Sequence, residues 1–280
     1  MKGFICLAAV LLSGAIPGFS QTPHRSLASI FNSKLAFYLP EPDSTPVSTA
    51  VVNAGSGATN IAQNTWLSIY GTNLAQTVTD WSNADFSKGL PTQLGGVTVT
   101  VNNKQAAISF VSPGQVNFLA PLDAATGPVP VTITTQYGSS KAVTPTEQAY
   151  SPAFFLVDPV HGYVAAQHLD YSLVGPTSNS VPGYPYTPAK PTEQVILYCT
   201  GFGQTNPPVS VQTGSGPLPT NPSVTIGGLP ASVTYAGLAG SGLYQLNVIV
   251  PASAPNGDLP LVATYNGNST QTGALITVHN

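Results

Sequence analysis

The chain repeats itself. Gln115 to Pro121 reads QVNFLAP and Gln245 to Pro251 reads QLNVIVP, both Gln-apolar-Asn-apolar-x-apolar-Pro, 130 residues apart. Upstream, WLSIYGTNL from Trp66 to Leu74 corresponds to VILYCTGFG from Val195 to Gly203, an apolar strand ending at Gly71 or Gly201. Between these anchors lie VTVTVNNKQAAISFV from Val97 and VTIGGLPASVTYAGL from Val224, each reading as a strand, a tight polar turn and a second strand. Anchors that recur in the same order at one offset predict two matching domains.

Within each copy the apolar residues alternate. Val97, Val99 and Val101 are interleaved with Thr98 and Thr100, and Val129, Val131 and Ile133 with Pro130 and Thr132. Val224 and Ile226, Val233 and Tyr235, and Leu246, Val248 and Val250 repeat the scheme. Successive strand residues point to opposite faces, so this pattern describes half-buried strands. The 27 Gly and 27 Pro are scattered between short apolar runs, as in a chain of many turns. An all-β fold follows.

The joint between copies is expected near Tyr150 to Pro152, giving domains at 47–150 and 151–280. Residues 151–194 exceed their counterpart in the first copy and read as a hairpin and loop added to the second. Residues 1–20 have the form of a signal peptide, with Lys2, an apolar stretch from Phe4 to Leu12 and the small-x-small site Gly18-Phe19-Ser20. Residues 21–46 form a lead outside the repeat, expected to be partly ordered. Cleavage after Ser20 removes Cys6 and leaves Cys199 alone, so no internal disulfide is expected in a secreted chain. No later segment approaches the roughly 20 continuous apolar residues of a membrane helix.

Charge excludes one partner class. Only 6% of residues are charged and the formal net charge is -3, which leaves no basic patch for a phosphate backbone. HExxH, paired-Cys and Gly-rich phosphate-loop motifs are missing, and no serine has glycine two residues away on both sides. Neither metal, cofactor nor catalytic residue is therefore expected.

The densest polar cluster is Asp158, His161, His168 and Asp170, able to supply imidazole and carboxylate ligands if a hairpin gathers them. Asp123 and Asp258 follow the two Gln-x-Asn strands and suit either turn stabilisation or a repeated calcium ligand. Gln115 with Asn117, and Gln245 with Asn247, suit either internal hydrogen bonding or sugar hydroxyls. Cys199 alternates with Val195 and Leu197, which predicts a buried, inert thiol. Trp66 and Trp81 read as core or as a glycan platform, whereas Tyr184 and Tyr186, in a Pro-rich loop, are expected to be exposed.

VVNAGSGATNIAQNTWLSIYGTNLA, LPTQLGGVTVTVNNKQAAISFVSPGQVNFLAP, VILYCTGFGQTNPP, VTIGGLPASVTYAGLAGSGLYQLNVIVP and GALITVHN together resemble the Solibacter-type uncharacterised C-terminal domain, over about Val47 to Asn280. Each half is also similar to the IPT/TIG class, through the strand-then-Gly element of LSIYGTNL and the paired strands ending before a Pro. The resemblance implies two tandem immunoglobulin-like β-sandwiches on a secreted bacterial protein, with no assigned activity and no catalytic residues to carry over. The resulting expectation is a secreted, non-catalytic interaction or structural module of the cell surface or exterior. Its partner would be an extracellular protein or polysaccharide. The alternatives are a carbohydrate-binding protein using Tyr184 and Tyr186, and a hydrolase built around His161, His168 and Asp170.

Overall fold

Strand-forming alternation becomes sheet wherever a second run can satisfy the first run's backbone groups. The computed structural model describes residues 44–178, 185–209 and 214–280. The leader at 1–20, the lead up to residue 43 and Tyr184 lie outside these. Among the described residues, helical structure is confined to two 3-10 turns, Trp81–Asn83 and Phe86–Lys88, and no helix is long and apolar enough to cross a membrane.

In the N-terminal half one sheet runs Val47–Asn53, Trp66–Thr72, Gln115–Leu119, Ala107–Val111 and Thr79–Asp80, and a second runs Gly138–Ser139, Val131–Thr135, Val97–Val101 and Gln93–Leu94. Pairing is antiparallel, with Ile69 opposite Val116 and Ile133 opposite Val99. The buried faces meet in a core that includes Val51, Leu67, Ile69, Val99, Ile108, Phe118 and Ile133. In Val97–Val101 the valines are buried and the threonines half-buried, as the alternation requires.

The C-terminal half uses the same pairings. Gln194–Thr200 lies beside Leu243–Ile249, with Leu197 opposite Leu246, and Ser223–Ile226 lies beside Gly257–Tyr265, with Ile226 opposite Leu261. Leu229–Gly240 differs from its counterpart by running unbroken for 12 residues, pairing with Ser223–Ile226 at one end and Leu243–Ile249 at the other. Register shifts at Val233/Tyr235 and Leu238/Gly240 let it bend between the two sheet faces. Val195, Leu197, Cys199, Val224, Ile226, Leu246 and Val248 share its core.

Small features repeat with the strands. Thr134 Oγ1 and Ser139 Oγ lie 2.8 Å apart, as do Thr264 Oγ1 and Ser269 Oγ. The Ile133 amide donates to Ser140 Oγ at 3.2 Å, and the Ala263 amide to Thr270 Oγ1 at 3.0 Å. The two strand-ending glycines serve one purpose. A Cβ on Gly71 would sit 1.9 Å from the Val47 carbonyl oxygen, and one on Gly201 1.8 Å from that of Ser151. Each lets the chain entering its half cross the end of a central strand, which any side chain would block.

The halves meet over a third apolar cluster. Trp66, Ala107 and Leu119 from one side pack with Phe155, Ala165, Ile196, Tyr198 and Leu243 from the other. Trp66 Nε1 donates to the Ser241 carbonyl at 2.8 Å, and the Trp66 amide donates to Thr200 Oγ1 at 3.1 Å, whose hydroxyl passes on to the Gly242 carbonyl at 2.9 Å. Asn64 Nδ2 donates to the Tyr244 hydroxyl at 2.8 Å, which in turn donates to the Gly203 carbonyl. Asn53 Nδ2 donates to the Ser151 carbonyl at 2.8 Å, and Gln271 Nε2 bridges the carbonyls of Gly55 and Phe154 at 3.1 and 2.7 Å. Gly242, at φ 64°, passes so close that a Cβ would lie 2.3 Å from Leu119 Cδ1.

Glu147 is buried in the N-terminal half, and its Oε2 has no hydrogen-bond partner. Burial, and then the charge of Asp123, push its carboxyl up to about 7 from 4.5. The unfolded chain releases this proton near the ordinary value, while the folded chain holds it until about pH 7. The stability that the protonated form contributes is therefore complete below pH 4.5 and lost as pH rises toward 7. Glu147→Gln should flatten the decline in thermal midpoint across that interval. An unchanged slope would show that Glu147 titrates normally.

Candidate functional site

The turns that follow Gln167 and precede Gln194 build a cleft. Gln167 pairs with Leu173, and the intervening turn is closed by His168 N to the Ser172 carbonyl at 2.9 Å and Tyr171 N to the His168 carbonyl at 3.0 Å. Opposite lies a Pro-led turn, Lys190-Pro191-Thr192-Glu193, closed by Glu193 N to the Lys190 carbonyl at 3.1 Å. Between them opens a space of about 700 Å³ lined by His168, Leu169, Asp170, Ser172, Thr187 and Lys190, among others.

His168 ties these walls together. Its Nδ1 lies 2.5 Å from Glu193 Oε1, and its Nε2 lies 2.9 Å from Thr187 Oγ1 and 3.2 Å from the Thr187 carbonyl oxygen. The second Glu193 oxygen accepts from the Lys190 amide at 2.8 Å. Hydroxyl, imidazole and carboxylate thus stand in the order that nucleophilic hydrolases use. A carboxylate faces one ring nitrogen, while a carbonyl and a hydroxyl oxygen face the other, so both nitrogens are engaged with the walls of the cleft. The ring acts as a clip between the two turns.

Asp170 is exposed at the tip of the first turn. Its Oδ1 accepts from the Ser172 hydroxyl at 2.6 Å and amide at 2.9 Å, and these bonds hold the carboxyl below the usual carboxylate range. Asp170 is ionised at neutral pH and presents acceptors to the cleft.

The predicted polar cluster divides in space. His168 and Asp170 line the cleft, whereas His161 pairs with Asp158 on another turn, Nδ1 to Oδ2 at 2.7 Å, with the His161 side chain 63% exposed. Asp158 Oδ1 also accepts from the amides of Val160 and His161, a local cap. No group of three or more His, Cys, Asp or Glu gathers as a metal site among the described residues.

Tyr186 is not exposed as expected. It is 6% accessible, because Tyr186–Thr187 forms a short strand parallel to Leu173–Val174 that turns the ring inward onto Gly175. Burial raises its hydroxyl above the ordinary tyrosine range. Trp66 is core, and Trp81 stands edge-on to it at 5.5 Å while donating to the Ile108 carbonyl, so neither forms a platform. Cys199 is fully buried and burial pushes its thiol well up, as expected of an inert residue. Gln115 Nε2 donates to Asn117 Oδ1 at 2.8 Å and Gln245 Nε2 to Asn247 Oδ1 at 2.7 Å, an internal bond made twice. Asp123 is held by Asn102, Lys104 and the Ala125 amide, and Asp258 by the hydroxyls of Tyr163 and Thr277. Both carboxylates thus stabilise local structure.

Thr187, Lys190 and Glu193 escaped sequence reasoning. So did two strained residues. Of seven non-glycine residues with positive φ among the described residues, five are Asn, which tolerates this region; the others are Tyr171 at 68° and Thr192 at 69°. One lies in each turn that bounds the cleft, at a position where hairpin and type II turns ordinarily place Gly or Asn.

The sandwich and the cleft define a class, an all-β protein with an immunoglobulin-like sandwich. Residues 46–147 match the IPT/TIG domain family. No curated protein matches the chain. Similar solved structures include SGBP-B of the Bacteroides ovatus mixed-linkage glucan utilization locus in complex with a mixed-linkage heptasaccharide, at 13% identity and TM-score 0.35, over 84% of this chain and 46% of that one. Another is SGBP-B from a complex xyloglucan utilization locus in Bacteroides uniformis, at 16% identity and TM-score 0.24, over 82% of this chain and 49% of that one. A third is the γ-CGTase of alkalophilic Bacillus clarkii, at 10% identity and TM-score 0.27, over 84% of this chain and 27% of that one. The chain thus spans less than half the length of each. Likeness at this level says nothing about ligand or activity.

A left-handed conformation costs an ordinary residue roughly 1–2 kcal/mol, and Gly escapes it while adding some entropy to the unfolded chain. Thr192→Gly should therefore stabilise the protein by about 1 kcal/mol in urea denaturation. A loss of stability would mean that the Thr192 side chain contributes more through its contacts than its backbone costs.

Proposed function

We propose that this chain is a secreted, non-catalytic interaction module of the bacterial cell surface or exterior. It would consist of two tandem immunoglobulin-like sandwiches, 47–150 and 151–280, the second enlarged by the insertion at 151–194. The resemblance to the Solibacter-type uncharacterised domain over both halves, and the leader expected to end at Ser20, support this reading. The observation that carries it is the cleft between the two turns. Its imidazole and one carboxylate are spent on joining the walls, while Asp170, Ser172 and Lys190 remain to meet a ligand. Such a site recognises a partner, an extracellular protein or polysaccharide, and leaves it unchanged. His168 and Asp170 belong to it; His161 and Tyr186 do not.

Fractionation of the source cells with N-terminal sequencing tests this reading. The protein should be found outside the cytoplasmic membrane with Gln21 as its first residue. An uncleaved chain in the cytoplasm would contradict it.

A further inference from the structure

Resting on that reading, we infer that the cleft binds a neutral, polyhydroxylated ligand, the chemistry of a saccharide chain. The walls interleave charges of opposite sign. Asp170 and Glu193 are acidic and Lys190 is basic, and all three line one space with the hydroxyl-bearing Ser172 and Thr177. An anionic ligand would meet the Asp170 carboxylate there, and a cationic one would meet the Lys190 ammonium group. Neutral hydroxyls are both donors and acceptors, so a polyhydroxylated ligand can give hydrogens to Asp170 and accept from Lys190. A carboxylate has about four lone-pair sites, of which Ser172 takes two, so Asp170 retains acceptors for a ligand. Peptide groups keep donor and acceptor on separate atoms and lack this pairing. Leu169 and Pro188 add an apolar surface suited to the C–H face of a sugar ring. The space, about 700 Å³, falls within the usual range for ligand sites.

The backbone gives an independent sign that the cleft is a built site. Tyr171 and Thr192 stand in the left-handed region on opposite walls. Bonds from Gln167 Nε2 to the Tyr171 carbonyl and from Thr192 N to the Val250 carbonyl, both 2.9 Å, hold the strained turns in place. Strain in bulky or β-branched residues persists where the surroundings over-determine it, and it gathers at ligand clamps. With the His168 clip it fixes the turns before a ligand arrives, which lowers the entropy lost on binding.

The test is calorimetric titration of the secreted chain. The probes are neutral oligosaccharides from the source cells' own exopolysaccharide, uronic acid oligosaccharides, and a peptide digest of envelope proteins. Saturable binding is expected with the neutral oligosaccharides alone. Asp170→Asn and Lys190→Met should each weaken it about tenfold or more, the loss of one charge-assisted bond. Tyr137→Ala, at an exposed turn of the other half, should leave it unchanged. Thr192→Gly, a stabilising change, should also weaken binding, which separates recognition from folding. Preferential binding of the uronic acids or peptides, or cleft variants that bind as well as the original, would overturn the inference. A chain that lies outside the cell but binds no saccharide would overturn it too, while leaving the surface-module reading in place.

Discussion

Trp66 is where the two halves become one object. Its ring is wholly buried between them, its indole nitrogen bonds to the Ser241 carbonyl, and its amide is satisfied by Thr200 across the junction. A buried tryptophan combines a large apolar area with one donor that must find a partner, and here the partner belongs to the other half. Tandem sandwiches joined only by a linker would each need a polar outer face at this point. Instead, side-chain amides add hydrogen bonds across the junction, buried from Asn64 to Tyr244 and from Asn53 to Ser151 and part-buried from Gln271 to Gly55. Such bonds have direction, so they fix the angle between the halves as well as their attachment.

The stretch after Ser151 takes part in this join. Phe155 and Ala165, near its start, pack against Trp66, and the same stretch then runs on through Ala166–Gln167 into the turn that carries His168 and Asp170. The cleft thus hangs from a segment anchored at the junction. Its other wall leads directly into the central strand Gln194–Thr200, whose Ile196 and Tyr198 belong to the junction cluster. Both walls are therefore mounted on elements that belong to the junction, which suits a site that must hold its shape without a ligand.

Much of this was legible in the sequence because duplication writes the same physical demand twice. Gly71 and Gly201 stand at equivalent strand ends, and each allows one close backbone crossing. Gln115 with Asn117 and Gln245 with Asn247 make the same side-chain bond, so their recurrence reflected structure and not a sugar site. The stretch after Ser151 lies outside the recurring motifs and was read less well. Tyr186 looked exposed among prolines, yet a two-residue strand is too short to show alternation, and the ring is buried. Thr187 and Glu193 lie 19 and 25 residues from the histidine they hold, a pairing that no local spacing announces. Tyr171 and Thr192 occupy positions that glycine would have marked, and their side chains concealed the turns.

The most direct test of this account is the relative order of the two halves in solution. Backbone residual dipolar couplings, measured in a weakly aligning medium for both halves, should fit one alignment tensor with the orientation that the Trp66 contacts impose. Two tensors of different magnitude would mean that the halves reorient independently, and the junction could not then be the constraint from which the cleft is built.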